Sequence, residues 1–258
     1  MTTLHDMHIL NNLTAFVTGA GSGIGKAIAH RYAAEGANVF ITDIREDRLL
    51  AVADEIKQAG GKVAFQAGDL ADENAVQSLI DTCRKQLGEI DILVNNAGIL
   101  DNFMPAAEVS FDLWKRVMQV NIDGPFFTCH AVLPGMVERG SGIIINISSI
   151  GGLQGSRAGA AYTTSKHALI GLTKNIGFQY ATKGIRCNAI APGGVNTAIT
   201  DGVQPSPFGY ERLMSGIGSN IRSAEPAEIA GVALFLASPD ASFVNGAVVT
   251  ADGGWTAY

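Results

Sequence analysis

The sequence predicts a single α/β domain built on a doubly wound parallel sheet of about seven strands, with helices on both faces. Short β-branched runs alternate along the 258-residue chain with longer helical runs, as in successive βαβ units. The strand-like run 142–147 is apolar at nearly every position, as expected for a strand buried on both faces. Since no linker or repeat divides the chain, we expect one domain over residues 1–258.

Local signals set the predicted bounds of the elements. Gly36 and Gly60 follow the first two helical runs, and Asp72 precedes the third, where a carboxylate can cap the helix. The helical pattern over 111–137 is interrupted near Asn121 and Pro125. The predicted strands are 13–18, 38–42, 63–66, 90–94, 142–147, 185–190 and 247–250, and the predicted helices are 24–35, 47–58, 72–87, 111–137, 160–182 and 226–237.

The stretch 197–224 does not follow this alternation. It carries Pro205, Pro207 and several glycines among apolar residues such as Phe208 and Tyr210. A long apolar segment broken in this way is typical of a flap over a binding site. We therefore predict a substrate lid at about 197–224.

Composition and charge narrow the class of partner. The net charge is −6, from 24 acidic and 18 basic residues, so no nucleic-acid partner is expected, since that would need a clustered basic face. No apolar run reaches the ~18 residues of a membrane span, and no membrane partner is expected. The beginning of the chain has neither Lys nor Arg nor a sustained apolar stretch, so no secretory signal is expected.

The cysteines and histidines predict no metal site. Cys83, Cys129 and Cys187 form no CxxC pair and are interpreted as reduced, buried thiols of a cytoplasmic protein. His5, Asp6 and His8 could share a metal, but a frayed terminus is the favoured interpretation.

A glycine-rich turn follows the first predicted strand and opens the first helix. Glycines stand at 19, 23 and 25, where free N–H groups and the helix dipole suit a pyrophosphate. The GxGxxG pattern fails at Ile24, and a P-loop would need glycine at Ala20 and a hydroxyl at Ala27. Although such a turn can be purely structural, its position between strand and helix favours a dinucleotide.

Two aspartates follow the next two predicted strands. Asp43, about 20 residues beyond the glycine turn, can accept both adenosine ribose hydroxyls and repel a 2′-phosphate, which predicts NAD over NADP. Arg45 and Arg48 could favour NADP, but they are interpreted as solvating the next helix. Asp69 is a candidate for the adenine edge; a turn-forming aspartate is the alternative.

Tyr162 and Lys166 stand four residues apart in a predicted helix. At that spacing both side chains leave one helix face, and the ammonium favours the phenolate, so the phenol becomes a better acid and a usable base. Bringing the pKa of the tyrosine phenol from about 10 down to neutrality requires a decrease of about 3 pH units, which corresponds to roughly 4 kcal/mol. An exposed pair without function is the alternative.

These residues together resemble the short-chain dehydrogenase/reductases of the ~250-residue type, over essentially the whole chain. The resemblance rests on motifs in one order: Thr18-Gly19-x-x-x-Gly23-Ile24-Gly25, Asp69, Asn95-Asn96-Ala97-Gly98, Asn121, Ser149, Tyr162-x-x-x-Lys166 and Pro192-Gly193-x-Val195-x-Thr197. It implies a Rossmann-like fold and an NAD(P)-dependent oxidoreductase acting on CH–OH groups.

The resemblance also implies roles for individual residues. Tyr162 is the general acid in reduction and the base in oxidation, Lys166 lowers its pKa and holds the nicotinamide ribose, and Ser149 binds the substrate oxygen. Asn121 bends its helix and holds a water joining Lys166 to solvent. The expected cofactor contacts are Gly19, Ser22, Gly23, Ile24, Gly25, Asp43, Asp69, Leu70, Asn95, Ala97, Tyr162, Lys166, Val195 and Thr197.

The expected substrate is a small to medium, largely apolar ketone or secondary alcohol, because the loops expected around the nicotinamide are mostly apolar. These loops contribute Ile99, Leu100, Phe103 and Met104, then Ile150, Leu153 and Gln154, and then the lid.

Three alternatives remain open on the sequence alone. Arg139 and Lys183, near where 3-oxoacyl-thioester reductases dock an acidic carrier, make such a reductase the runner-up. A non-catalytic NAD-binding sensor or scaffold is disfavoured by the intact Ser149, Tyr162 and Lys166. A serine hydrolase is disfavoured because no G-x-S-x-G elbow occurs.

The family is usually tetrameric, so a homotetramer is expected. Ala168, Gly171 and Gly177 would let the helix 160–182 pack closely against a symmetry mate.

Overall fold

The computed structural model describes residues 8–257, so His5 and Asp6 of the alternative metal site lie outside it. Seven parallel strands form one sheet in the order β3-β2-β1-β4-β5-β6-β7. The strands are β1 (Thr14–Thr18), β2 (Asn38–Thr42), β3 (Lys62–Phe65), β4 (Ile92–Asn95), β5 (Gly142–Ile147), β6 (Ile185–Pro192) and β7 (Val248–Ala251).

Eight α-helices connect and cover the strands over the described residues. Asp72 accepts the amides of Asn74 and Ala75 at the start of the third helix, which confirms the predicted cap. The helices are α1 (Gly23–Ala34), α2 (Glu46–Gln58), α3 (Glu73–Leu87), α4 (Phe111–Met118), α5 (Gly124–Arg139), α6 (Ala160–Gln179), α7 (Pro207–Met214) and α8 (Pro226–Ala237).

Each face of the sheet has its own apolar core. Ala15 and Val17 of β1 pack with α1, α2 and α8, whereas Phe16 between them packs with α3, α5 and α6. Because successive strand residues point to opposite faces, an all-apolar strand supplies both cores at once. The predicted doubly wound sheet in a single domain is confirmed.

Three elements differ from the sequence prediction. Helix α6 ends at Gln179, not at 182, because the chain tightens into a 3₁₀ turn and leaves it at Gly184 with φ +72°. Asn121 lies in a π-helical turn, Gln119–Asp123, that joins α4 to α5 without a break. The predicted lid contains a short helix, α7, whose first turn is capped by Ser206.

The chain reverses its winding between β1 and β4. Strand β1 pairs with β2 on one side and with β4 on the other, so the loops after β1 and β4 separate and leave a crevice at the carboxyl edge. Open α/β sheets bind their ligands at such a point. Within residues 8–257, no helix combines the length and apolar character needed to cross a bilayer, and no three potential metal ligands cluster.

Candidate active site

A cleft of about 540 Å³ lies along the carboxyl edge of the sheet. Its walls come from the loops that follow six strands and from the beginning of the predicted lid. Gly19, Asp43, Asp69, Ala97, Ser149 and Gly193 each represent one of those loops. Residues distant in sequence, predicted separately, therefore meet in one place.

The glycine turn forms the floor of the cleft. Gly19 and Gly23 line it with φ angles of +62° and +54°, a region that favours glycine. Gly25 does not line the cleft. A Cβ on Gly25 would instead collide with the Gly19 carbonyl and the Asn96 side chain, so the packing of the turn requires glycine here, and a direct cofactor contact of Gly25 stays a prediction.

The start of α1 has the character of an anion site. Ser22 occupies the N-cap position but its side chain makes no capping hydrogen bond, so it does not satisfy the amides of the first turn. Ser22, Gly23 and Ile24 all line the cleft. An uncapped helix start behind a turn with room only for glycine fits the pyrophosphate of a dinucleotide.

Asp43 closes one end of the cleft. Its Oδ2 accepts the Gly21 amide at 3.1 Å and its Oδ1 accepts the Arg45 amide at 3.1 Å. The Arg45 guanidinium is paired with Asp47 at 2.9 Å, whereas Arg48 lines the cleft beside Asp43. Because Arg48 lines the cleft, the alternative that it favours NADP stays open.

Asp69 and Leu70 lie on the adjacent wall. The Arg116 guanidinium donates to both oxygens of Asp69, at 3.0 and 3.3 Å, and the Ala71 amide donates to Oδ1 at 3.0 Å. Burial alone would raise the pKa of Asp69, but these donors lower it by more. Asp69 is therefore a charged group that both shapes its turn and faces the cleft.

Ser149 and Tyr162 meet at the other end of the cleft. The Ser149 hydroxyl accepts the Gly151 amide at 2.9 Å, and the Ser149 hydroxyl and the Tyr162 ring both border the space above Gly151. The pKa of Tyr162 is raised to about 12, chiefly by burial and also by the charge of Asp101, while the nearby Ser149 hydroxyl lowers it in part. The acidified phenol expected from the sequence is thus opposed by desolvation.

Lys166 lies behind Tyr162 and is almost completely buried. Its Nζ lies 5.5 Å from the centroid of the Tyr162 ring and donates to the Ile147 carbonyl at 2.8 Å. Burial lowers the pKa of Lys166 to about 8. The Lys166 ammonium is thus charged at neutral pH, although its pKa lies only slightly above that pH.

Asn121 fixes the loop that follows β4. Its Nδ2 donates to the Ile99 carbonyl at 3.0 Å and to Ser165 Oγ at 3.1 Å, and its Oδ1 accepts the Ile99 amide at 2.9 Å. The π-helical turn places this buried side chain between the loop and α6, the helix that carries Tyr162. Asn121 thus tethers one wall of the cleft without lining it.

Asn95 does not line the cleft either. Its Nδ2 donates to Asn146 Oδ1 at 3.0 Å, and its Oδ1 accepts the Thr128 hydroxyl at 2.7 Å. Since it ends a central strand, its side chain turns into the sheet–helix layer, where buried polar atoms need partners. Asn95 thus forms a polar link between strands and α5, and its cofactor contact stays a prediction, whereas the neighbouring Ala97 lines the cleft.

Val195 and Thr197 line the cleft where the predicted lid begins. A Cβ on Gly23 would lie 3.0 Å from the Thr197 side chain, so the lid base closes directly onto the glycine turn. Val195 also forms an isolated β-bridge with Ala224. The two ends of the 197–224 segment are therefore held together.

Two segments add apolar side chains to the cleft. Ile99 and Leu100 of the loop after β4 line it, as do Ile199 and Val203 of the 197–224 segment, together with the polar Asn102 and Asp201. Phe103, expected here, instead packs edge-on against Tyr210 of α7, with ring centroids 5.8 Å apart. Met104, Ile150, Leu153 and Gln154 also fall outside the lining.

Arg157 and Trp255 anchor the 197–224 segment at Gly216, between its two ends. Arg157 Nη1 donates to the Gly216 carbonyl at 2.9 Å, and Trp255 Nε1 donates to the same carbonyl at 3.2 Å. The guanidinium carbon of Arg157 lies 4.5 Å from the centroid of the Trp255 ring. This anchor joins three segments that are far apart in sequence.

Sequence reasoning missed two residues of the site. Asn96 Nδ2 donates to the Thr18 carbonyl at 2.9 Å and to the Gly19 carbonyl at 3.1 Å, so it holds the glycine turn; its place in the Asn95–Gly98 motif could have indicated this. Asp101 is fully buried beside the start of α6. Nothing in its local pattern marks it, because its partners lie about 60 residues away.

Comparison with known proteins agrees with this geometry. A sequence model of the short chain dehydrogenase family matches residues 13–207. The chain is 43% identical over 252 residues to 3beta-hydroxysteroid dehydrogenase 2 of Eggerthella lenta, covering 97% of each. It is 36% identical over 246 residues to cyclohexanol dehydrogenase of an Acinetobacter species, covering 95% of this chain and 96% of the relative.

A solved structure has the same fold. A Beutenbergia cavernae protein, provisionally named an NAD(P)-dependent gluconate 5-dehydrogenase, matches with a TM-score of 0.87 at 40% identity, over 98% of this chain and 100% of that one. Its crystals hold NADP at low occupancy. This chain therefore belongs to the short-chain dehydrogenase family of NAD(P)-binding oxidoreductases.

Proposed function

We propose that the protein transfers a hydride between NAD and an apolar, cyclic secondary alcohol or its ketone, with Tyr162 as the acid and base. The observation that carries this proposal is the meeting of Ser149 and Tyr162 at the apolar end of the cleft. Two hydroxyls side by side can hold one substrate oxygen, and the relatives named for a hydroxysteroid and for cyclohexanol support an alicyclic substrate.

The reaction divides between the nucleotide and the protein. Bound nicotinamide supplies the hydride in reduction and takes it up in oxidation. Tyr162 gives its phenolic proton to the carbonyl oxygen in reduction and takes the hydroxyl proton in oxidation, while Ser149 hydrogen-bonds to that oxygen. Lys166 holds a positive charge behind the phenol. Such positioned proton transfer is typically worth 10²–10⁴-fold in rate.

Asp43 supports the preference for NAD. Its carboxylate lines the cleft, and a 2′-phosphate bound next to it would meet its negative charge. Arg48 also lines the cleft, and its positive charge opposes this preference. The kcat/KM measured with NAD should therefore exceed the kcat/KM measured with NADP.

The test of the NAD preference uses Asp43→Asn. Losing a charge-assisted hydrogen bond costs about 1.5–3 kcal/mol, so we expect the NAD-to-NADP ratio of kcat/KM to fall by about tenfold or more. Asp54→Asn, an exposed acid on α2, is the matched control and should leave the ratio unchanged. A wild-type protein that prefers NADP would contradict the assignment.

The substrate class is tested with a panel read at the reduced-nicotinamide absorbance. We expect 3-hydroxysteroids and cyclohexanol to turn over faster than gluconate, because Ile99, Leu100 and Val203 give the cleft apolar surface that a polyol cannot use. Turnover of gluconate with none of the apolar alcohols would refute the substrate proposal.

The thioester-reductase alternative is not favoured. Arg139 is paired with Glu89 at 3.0 Å and donates to the Ile90 carbonyl at 2.7 Å. Arg139 and Lys183 precede β5 and β6, so they lie at the amino edge of the sheet. The cleft is at the opposite edge, about 20 Å away for a strand of six residues.

We also propose a homotetramer, as expected for the family. Gly171 on α6 is exposed, and a Cβ added there would meet no atom within 4 Å, while Phe178 is 81% exposed, so this helix can take a partner. Gly177, however, packs against Gly246 of its own chain and does not serve the interface. Light scattering at micromolar concentration should give four times the 26.9 kDa chain mass; a monomer would rule the assembly out.

A further inference from the structure

Asp101 is a buried carboxylate outside the residues given a role so far. It follows Leu100 in the loop after β4, and its exposed fraction is 0%. Its Oδ2 accepts the Tyr162 amide at 2.9 Å, and its Oδ1 makes no close hydrogen bond within residues 8–257. Burial raises the pKa of this carboxyl group above its ordinary value, and neighbouring main-chain amides, the Tyr162 amide first among them, lower it in part. Because a buried carboxylate is costly, its place in the fold calls for a reason.

The start of α6 is built around this carboxylate. The N-cap residue of α6 is Gly159, which has no side chain to cap the helix. A Cβ on Gly159 would lie 2.5 Å from both oxygens of Asp101, so only glycine leaves room for it. Asp101 therefore supplies, from another loop, the cap that α6 lacks, and its negative charge suits a helix N-terminus.

Two charged groups and one hydroxyl lie near the Tyr162 side chain. Asp101, in the loop after β4, accepts the Tyr162 main-chain amide, and Lys166 Nζ, one turn further along α6, lies 5.5 Å from the centroid of the ring. The loop after β5 contributes the neutral Ser149 hydroxyl. The negative charge of Asp101 disfavours the phenolate, whereas a positive charge on Lys166 favours it.

We propose that Asp101 is a positioning residue for Tyr162: it fixes the first turn of α6 and places a negative charge near the phenol. This arrangement favours the protonated tyrosine and thus the proton-donating, ketone-reducing direction. The kinetic consequence rests on the proposed function, but the structural and titration consequences do not.

Two variants of Asp101, Asp101→Asn and Asp101→Ala, distinguish the effect of its negative charge from the effect of its hydrogen bond to the start of α6. An asparagine oxygen can still accept the Tyr162 amide, so Asp101→Asn should keep the melting temperature near that of the wild type while removing the charge. Asp101→Ala removes both, and we expect a lower melting temperature and a lower kcat. Asp112→Asn on the neighbouring helix α4, an exposed position, is the control.

The decisive measurement is the titration of Tyr162 by NMR of [¹³Cζ]tyrosine-labelled full-length protein. Tyr162→Phe identifies its resonance among the five tyrosines. In Asp101→Asn, ionisation should begin at lower pH by about one unit, the low end of what a neighbouring charge does. Asp112→Asn should titrate like the wild type. An unshifted titration in Asp101→Asn would overturn the proposal.

Kinetics give a second readout. If Tyr162 is the base, the rise of kcat/KM for alcohol oxidation with pH should also move to lower pH in Asp101→Asn. A shifted NMR titration in a protein that oxidises no alcohol would leave the positioning role intact and refute the proposed function. A normal titration with active enzyme would refute the positioning role alone.

Discussion

At the scale of single residues, the sequence identifies the reacting groups but not their surroundings. The spacing of Tyr162 and Lys166 predicts a pair on one helix face, and both do lie at the cleft. Their burial could not be predicted, because it depends on loops from distant parts of the chain. Burial moves the two pKa values in opposite directions, to about 12 for the tyrosine and about 8 for the lysine.

Tyr162→Phe removes the proposed proton donor and keeps the ring. We expect kcat to fall by about 10²–10⁴-fold, the typical worth of positioned proton transfer, while NAD affinity measured by calorimetry stays within about twofold. Tyr180→Phe at the end of α6 is the matched control and should keep full activity. Unchanged turnover in Tyr162→Phe would instead favour a non-catalytic site at this position.

Lys166→Met should change how stability depends on pH. The pKa of Lys166 falls from 10.5 in the unfolded chain to about 8 in the folded protein, so the folded state binds the proton more weakly. Below pH 8 this costs the wild type about 3 kcal/mol, and the cost disappears as pH rises from 8 to 10.5. The stability of the variant relative to wild type should therefore decline over that interval.

Urea unfolding at several pH values measures this difference. Lys174→Met, at an exposed position of α6, should show no comparable pH dependence. A constant difference between Lys166→Met and wild type across pH 7 to 10.5 would mean that the ammonium is not destabilised by burial.

At the scale of elements, the sequence predicts most helices and strands within a few residues. It fails where the backbone leaves regular geometry. The interruption near Asn121 is correctly located, but it is a π-helical turn, whose extra residue per turn leaves no mark in the apolar pattern. Helix α7 escapes prediction because its proline and glycine are typical of loops, although Pro207 stands at the helix start, where proline is tolerated.

Gly25→Ala tests the glycine turn as an element. A Cβ there would meet the Gly19 carbonyl, a main-chain atom with little room to move, so we expect a loss of about 1–3 kcal/mol and weaker NAD binding. Gly231→Ala in α8, with no atom within 4 Å of the added carbon, should instead gain about 0.5–1 kcal/mol. Urea unfolding and calorimetry with NAD give both quantities, and equal effects of the two substitutions would contradict the packing argument.

At the scale of the whole molecule, the alternation of strands and helices predicts the parallel sheet and a site at its carboxyl edge. The contacts that complete the site could not be predicted, because each joins residues with no shared local pattern. Asp101 with Gly159 and Arg116 with Asp69 are examples. They form only when the loops after neighbouring strands come together, which the order of strands in the sheet decides.

The anchor of the 197–224 segment gives the protein an optical reporter. Trp255 is one of two tryptophans, and its indole N–H is bound to the Gly216 carbonyl beneath the Arg157 guanidinium. Replacing Trp114 by phenylalanine leaves a single indole whose emission depends on that contact. Any movement of the segment during nucleotide or alcohol binding then becomes a fluorescence change that stopped-flow mixing can time.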